Sequence, residues 1–142
     1  MILLDTTMLV YALGADHPAR DASRRLLAAI RDEKVAATTT VDVIQEFVHV
    51  VARRRPREQA VEYARRYAVA LSPLLVGGQA ELERGLRLFE RHDGLGAFDA
   101  VLAATAFAND VDALVSADQS FAQVPRLRHI APGTPEFERL VE

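Results

Sequence analysis

The chain has 142 residues, half of them hydrophobic and 26% charged, the composition of one globular domain with room for a sizeable core. Seventeen basic residues against twenty acidic leave a net charge of −3, so the domain as a whole is no electrostatic trap for nucleic acid, although an enzyme whose acids hold metal ions remains open. Cysteine is absent, which excludes disulfide frameworks, thiolate metal sites and cysteine nucleophiles.

The opening Met1-Ile2-Leu3-Leu4-Asp5 has no basic n-region and reaches an acid straight after its apolar run, so it does not read as a signal peptide. No stretch approaches the roughly 18 apolar residues of a membrane helix. The expectation is a cytoplasmic chain with no membrane partner. Ile2 to Leu4 reads as a buried strand closed by the polar cluster Asp5-Thr6-Thr7. A short helix over Met8–Leu13 follows and stops at Gly14. Asp16 is the expected N-cap, with Pro18 in the first turn, of a helix running to about Arg31. Val35 to Thr38 reads as a second strand.

Thr39 or Thr40 can cap the next helix, which carries Val43, Ile44, Phe47, Val48 and Val51 at helical spacing and is broken at Pro56. A further helix reaches about Ala70. Leu74-Leu75-Val76 before Gly77-Gly78 reads as a third strand, and 79–91 as a helix. After the break at 93–96 comes a small-residue helix over 97–109, of the kind that lies close to a sheet. Ala113 to Ser116 is the fourth strand, Arg128 to Ile130 a fifth, and residues 135–142 supply a last helical turn or two. Strands alternating with helices predict one α/β domain over residues 1–142, with a mostly parallel sheet covered by helices on both faces.

In open parallel sheets ligands sit outside the carboxyl ends of the strands. Asp5 ends the first strand and Asp118 follows the fourth; Glu46 and Asp99 sit on helices in apolar surroundings. Each alone has an ordinary structural explanation: a cap, a solvent edge, a dipole contact, a turn. Four carboxylates gathered into one cleft need a positive partner, because like charges raise each other's pKa. With cysteine absent and histidine scattered, that partner is Mg²⁺ or Mn²⁺.

Three segments carry a resemblance over essentially the whole chain. They are 2–12, with its strand, first acid and hydroxyl; Gln45-Glu46-Phe47-Val48; and 96–121, with Gly96-Ala97-Phe98-Asp99-Ala100, the alanine-rich helix and Val115-Ser116-Ala117-Asp118-Gln119-Ser120-Phe121. In this order they resemble the PIN-domain ribonucleases, and within them the small VapC-type toxins of bacterial toxin–antitoxin pairs. Thr7 stands where the family often has Asn, and Ser116 where it often has Thr; both keep a hydrogen-bonding side chain.

The resemblance implies a PIN-like three-layer α/β/α fold with a central, mostly parallel sheet of four to five strands. It also implies metal-assisted hydrolysis of RNA phosphodiesters, with Asp5 and Asp99 as principal ligands of Mg²⁺ (or Mn²⁺) and Glu46 and Asp118 as flanking ligands. Thr6 and Ser116 would orient them by hydrogen bonds. An antitoxin of the VapB kind and a homodimer are the implied partners. The alternative is a non-catalytic PIN-like binding or scaffold module, against which the four intact acids argue.

Asp42, one helical turn before Glu46, reads better as a first-turn helix acid, His49 as a surface histidine and Asp93 as a loop acid. The arginines 53, 54, 55 and 57 suit either phosphate contacts or a charged helix end. No P-loop, no late-strand lysine of a receiver domain, no H-E-x-x-H and no G-x-S-x-G occurs, and Thr7 occupies the position of a dehalogenase-type second aspartate.

Overall fold

The computed structural model describes residues 1–14 and 16–142. Four strands, β1 (Ile2–Leu4), β2 (Ala37–Thr38), β3 (Ala113–Val115) and β4 (His129–Ile130), form one sheet in the order β2-β1-β3-β4, with every pairing parallel. The two central strands are buried at every position, as the uninterrupted apolar runs Ile2-Leu3-Leu4 and Ala113-Leu114-Val115 require of strands covered on both faces.

Among the described residues seven α-helices surround the sheet: α1 (Thr6–Leu13), α2 (Arg20–Arg31), α3 (Val41–Val51), α4 (Arg57–Ala70), α5 (Gln79–Arg91), α6 (Ala97–Ala108) and α7 (Pro135–Val141). Helix α1 packs on α2 and α3, α3 on α4, and α2 on α7, while α5 and α6 form a tight hairpin whose second helix meets β3. That hairpin closes because Gly85 lies against Val101: a Cβ there would stand 2.7 Å from the valine side chain. Phe47, Phe121 and Phe137 are wholly buried in a core that reaches from Ile2 to Phe137.

Three local expectations are corrected. Helix α1 begins two residues early, at Thr6, because Asp5 itself is the N-cap and accepts from the Thr7 N–H. Asp16 does not cap α2. The cap position is Ala19, whose N–H is taken by His17 Nδ1 at 3.0 Å, and Asp16 instead pairs with Arg20. The predicted strand over 74–76 shrinks to a single bridge between Leu75 and Thr40. Leu75 exchanges two backbone bonds with Thr39 and Val41, but Val76 is 73% exposed, so nothing extends the pairing.

The connections determine where a cleft opens. From β1 the chain crosses to β2 on one side, and from β3 it crosses to β4 on the other. Adjacent strands whose connections leave in opposite directions form a switch point, and the crevice lies beyond their carboxyl ends. Asp5 and Ser116 are the residues that follow those two strands.

Candidate active site

At the end of β1 the Asp5 carboxylate, only 3% exposed, is held by three donors on one oxygen. Its Oδ2 accepts from Ser116 Oγ at 2.6 Å, from Thr7 Oγ1 at 2.9 Å and more weakly from the Thr7 N–H at 3.5 Å. Each hydroxyl has a single hydrogen and both are spent on Asp5, so the 3.2 Å approach between Thr7 and Ser116 is a contact of two acceptors. Both hydroxyls also accept: Thr7 Oγ1 from the Ala117 N–H at 3.1 Å, and Ser116 Oγ from the Asp118 N–H at 2.9 Å. The ends of β1 and β3 are thereby tied by the Ser116–Asp5 side-chain bond and by the Ala117 N–H on Thr7 Oγ1. Oδ1 of Asp5 takes no bond from any described residue.

Glu46 and Asp118 likewise each commit one oxygen to a nearby donor. On α3, Glu46 Oε2 accepts from Thr6 Oγ1 at 2.6 Å. Asp118 Oδ1 accepts from the Ser120 N–H at 2.9 Å, capping the 3-10 turn over Gln119–Gln123. Asp99 lies in the first turn of α6, which no side chain caps, and its carboxyl is within hydrogen-bonding reach of Asp118. Burial, then the charges of Asp5, Asp118 and Glu46, push the Asp99 carboxyl from its ordinary 3.8 up to about 7. The charges of the other three acids thus bear on Asp99, and three of the four, Asp5, Glu46 and Asp99, face one space.

That space is a cavity of about 300 Å³ lined by Asp5, Asp42, Glu46 and Asp99 on its polar side and by Val43, Leu82, Phe98 and Leu102 among its apolar walls. All six residues expected from sequence are brought together: Asp5, Glu46 and Asp99 line the cavity, Asp118 reaches Asp99, and Thr6 and Ser116 grip two of the acids. Two residues that the sequence undervalued join these six. Thr7 holds the same Asp5 oxygen as Ser116, at 2.9 Å against 2.6 Å, a role signalled by its place two residues after an aspartate cap. Asp42 is a first-turn acid of α3, as read, and yet also faces the cavity. His49 and Asp93 are exposed and line no part of it. In the arginine run, Arg55 donates to the Leu13 carbonyl at the end of α1 and sits over the Tyr63 ring, a structural post away from the acids.

The donor set suits a hard divalent cation: all oxygen, all anionic, with an uncommitted oxygen on Asp5 and on Glu46. Among the described residues no three acidic or histidine side chains are already closed into a coordination shell; the acids ring the cleft.

A family model, the PIN domain, matches residues 2–127. Ribonuclease VapC7 of Mycobacterium tuberculosis is 51% identical over 140 residues, covering 93% of this chain and 92% of the relative. Ribonuclease VapC23 of the same species is 30% identical over 102 residues, 70% of this chain and 78% of the relative. Among solved structures, the fold is similar to VapBC2 from Rickettsia felis bound to a promoter DNA fragment (TM-score 0.69, 20% identity, 92% of this chain and 98% of that one). It is also similar to Mycobacterium tuberculosis VapC20, a sarcin–ricin loop cleaving toxin (TM-score 0.67, 21% identity, 90% and 99%). PIN-domain nucleases of this kind depend on metal ions. With four acids converging where the sheet connections part, and with these relatives along nearly its full length, the chain belongs to the PIN-domain family of VapC ribonucleases.

Proposed function

We propose that this chain is a metal-dependent endoribonuclease that hydrolyses RNA phosphodiester bonds as the toxin of a type II toxin–antitoxin pair. The observation that carries the reading is the convergence of Asp5, Glu46 and Asp99 on one cavity, with the charges of Asp5, Asp118 and Glu46 bearing on the half-buried Asp99 carboxyl. Such crowding of charge is costly unless a cation neutralises it. Asp5 and Asp99 are the principal ligands of Mg²⁺, for which Mn²⁺ can substitute, and Glu46 and Asp118 are flanking ligands. When bound, the ion lowers the pKa of water and offsets charge developing on the attacked phosphate.

The protein's own residues set the stage for that chemistry. Thr7 and Ser116 fix Oδ2 of Asp5 and so aim Oδ1 at the cleft. Thr6 does the same for Glu46. Near neutral pH the Asp99 carboxyl keeps part of its proton, which a bound cation would displace. The apolar wall of Val43, Leu82 and Phe98 offers surface to nucleobases flanking the scissile phosphate.

The continuous core from Ile2 to Phe137 supports a single PIN domain over residues 1–142. An antitoxin of the VapB kind, a homodimer and a cytoplasmic location complete the proposal; no helix of the described residues is long and apolar enough to cross a membrane. The test is 5′-end mapping of total bacterial RNA after incubation with the purified chain, with Mg²⁺ or Mn²⁺, with chelator, and with Asp99→Asn. New ends that need both metal and Asp99 are expected. No new ends from the folded protein would leave a binding module as the better reading.

A further inference from the structure

One histidine on β4 touches the backbone of the site. The ladder joining β3 to β4 runs from the Leu114 N–H to the Arg128 carbonyl, then from the Ser116 N–H to the Ile130 carbonyl at 3.2 Å. In a parallel ladder the next bond runs from the N–H of residue 132 back to the Ser116 carbonyl. Residue 132 is proline and has no N–H to give. The Ser116 carbonyl is nonetheless paired, because the imidazole Nε2 of His129 lies 2.9 Å from it. A carbonyl only accepts, so Nε2 carries the hydrogen and donates. Ser116 is fully buried, and an unpaired carbonyl there would bear its whole desolvation penalty.

The same peptide is held at its other end. The Ala117 N–H donates to Thr7 Oγ1, so the Ser116–Ala117 peptide plane is clamped by His129 on its oxygen and by Thr7 on its nitrogen. From that plane Ser116 Oγ reaches Asp5 at 2.6 Å, and the Asp118 N–H reaches back to Ser116 Oγ. The His129 ring is itself steadied at 5.9 Å from the buried Phe121.

We propose that His129 is a positioning residue of the metal centre. Its Nε2–H replaces the ladder donor that Pro132 cannot supply, and by fixing the Ser116–Ala117 peptide it sets Asp5 and Asp118 in the orientation that binds the cation. The inference rests on the reading of the four acids as a metal site.

A glutamine amide nitrogen reaches about as far as Nε2, an asparagine amide stops short, and leucine fills similar space with no donor. The experiment is calorimetric titration of Mn²⁺ into the purified full chain without RNA, with thermal unfolding of each variant recorded alongside. His129→Leu and His129→Asn are expected to weaken Mn²⁺ binding by roughly tenfold or more, as loss of a ligand-orienting bond does, and His129→Gln to stay within about threefold of wild type. Folded His129→Leu and His129→Asn binding Mn²⁺ as tightly as wild type overturns the inference. So does equal weakening in His129→Gln, which would make the ring a packing element only. No Mn²⁺ binding by the wild type overturns the metal-centre reading and this inference with it.

Discussion

Replacing Asp99 by Asn is expected to make the metal-free protein more stable while ending cleavage. The carboxyl is lifted from 3.8 to about 7, and a rise of that size corresponds to about 4 kcal/mol favouring the protonated form. Asp99 is only half-buried, so water screens part of that, and about 2 kcal/mol is the appropriate figure. The sign follows from linkage. Between the unfolded value near 3.8 and the folded value near 7, the native state binds the extra proton, so wild-type stability falls as pH rises through that window. An amide escapes the penalty.

At pH 8 in chelator, Asp99→Asn should therefore melt about 4–8 °C above wild type, and at pH 5 the difference should shrink by more than half, because the folded carboxyl is then protonated and only the unfolded one still ionises. Saturating Mn²⁺ should raise the wild-type Tm and leave the variant unmoved. Thermal unfolding followed by circular dichroism at the two pH values reads all of this. A variant that melts below wild type at pH 8 in chelator, or a Tm difference independent of pH, would refute the claim that Asp99 is crowded by the other acids.

Other expected outcomes follow from single contacts. Ser116→Ala removes the 2.6 Å bond to Asp5 and should cost about 1.5–3 kcal/mol in chemical denaturation, with metal affinity lowered roughly tenfold. Thr40→Ala removes the side-chain cap that accepts from the Val43 N–H at the start of α3, and about 1 kcal/mol should be lost with cleavage kept at saturating metal. Gly85→Ala forces a methyl to 2.8 Å from the Val101 backbone and should destabilise by about 1–3 kcal/mol as α5 is pushed off α6, visible as a lower denaturation midpoint. Mn²⁺ affinity by calorimetry should strengthen from pH 6 to pH 8, as the proton on Asp99 ceases to compete; a flat profile would contradict the raised Asp99 pKa.

What the sequence revealed followed from how local each signal is. The runs Ile2-Leu3-Leu4 and Ala113-Leu114-Val115 declared buried strands, and the Gln79–Arg91 helix was read to the residue. The four acids were legible because their segments occur in family order. The strand expected over 74–76 was not real beyond one bridge, because three apolar residues carry too little periodicity to tell a paired edge from an exposed turn. That Asp5 both caps α1 and lines the acidic cavity was invisible to a reading that weighed cap and cleft as rivals; the fold spends one oxygen on the cap and the hydroxyls and leaves the other without a donor among the described residues. Asp42 and Thr7 were undervalued for the same reason, since a residue with an adequate local explanation gives no sign of what it meets across the chain.

The two principal acids differ in how much else depends on them. Asp5 starts α1 and satisfies the hydroxyls of Thr7 and of the buried Ser116, whereas Asp99 has chiefly other acids for company. In a population of cells growing under forced expression, escape mutants recovered at the two codons should accordingly fall into two kinds. Changes at codon 99 should leave abundant, folded, silent protein that still engages a partner. Those at codon 5 should leave little protein at all, cleared by proteolysis, so that the harmless decoys a genome can accumulate come from the first kind.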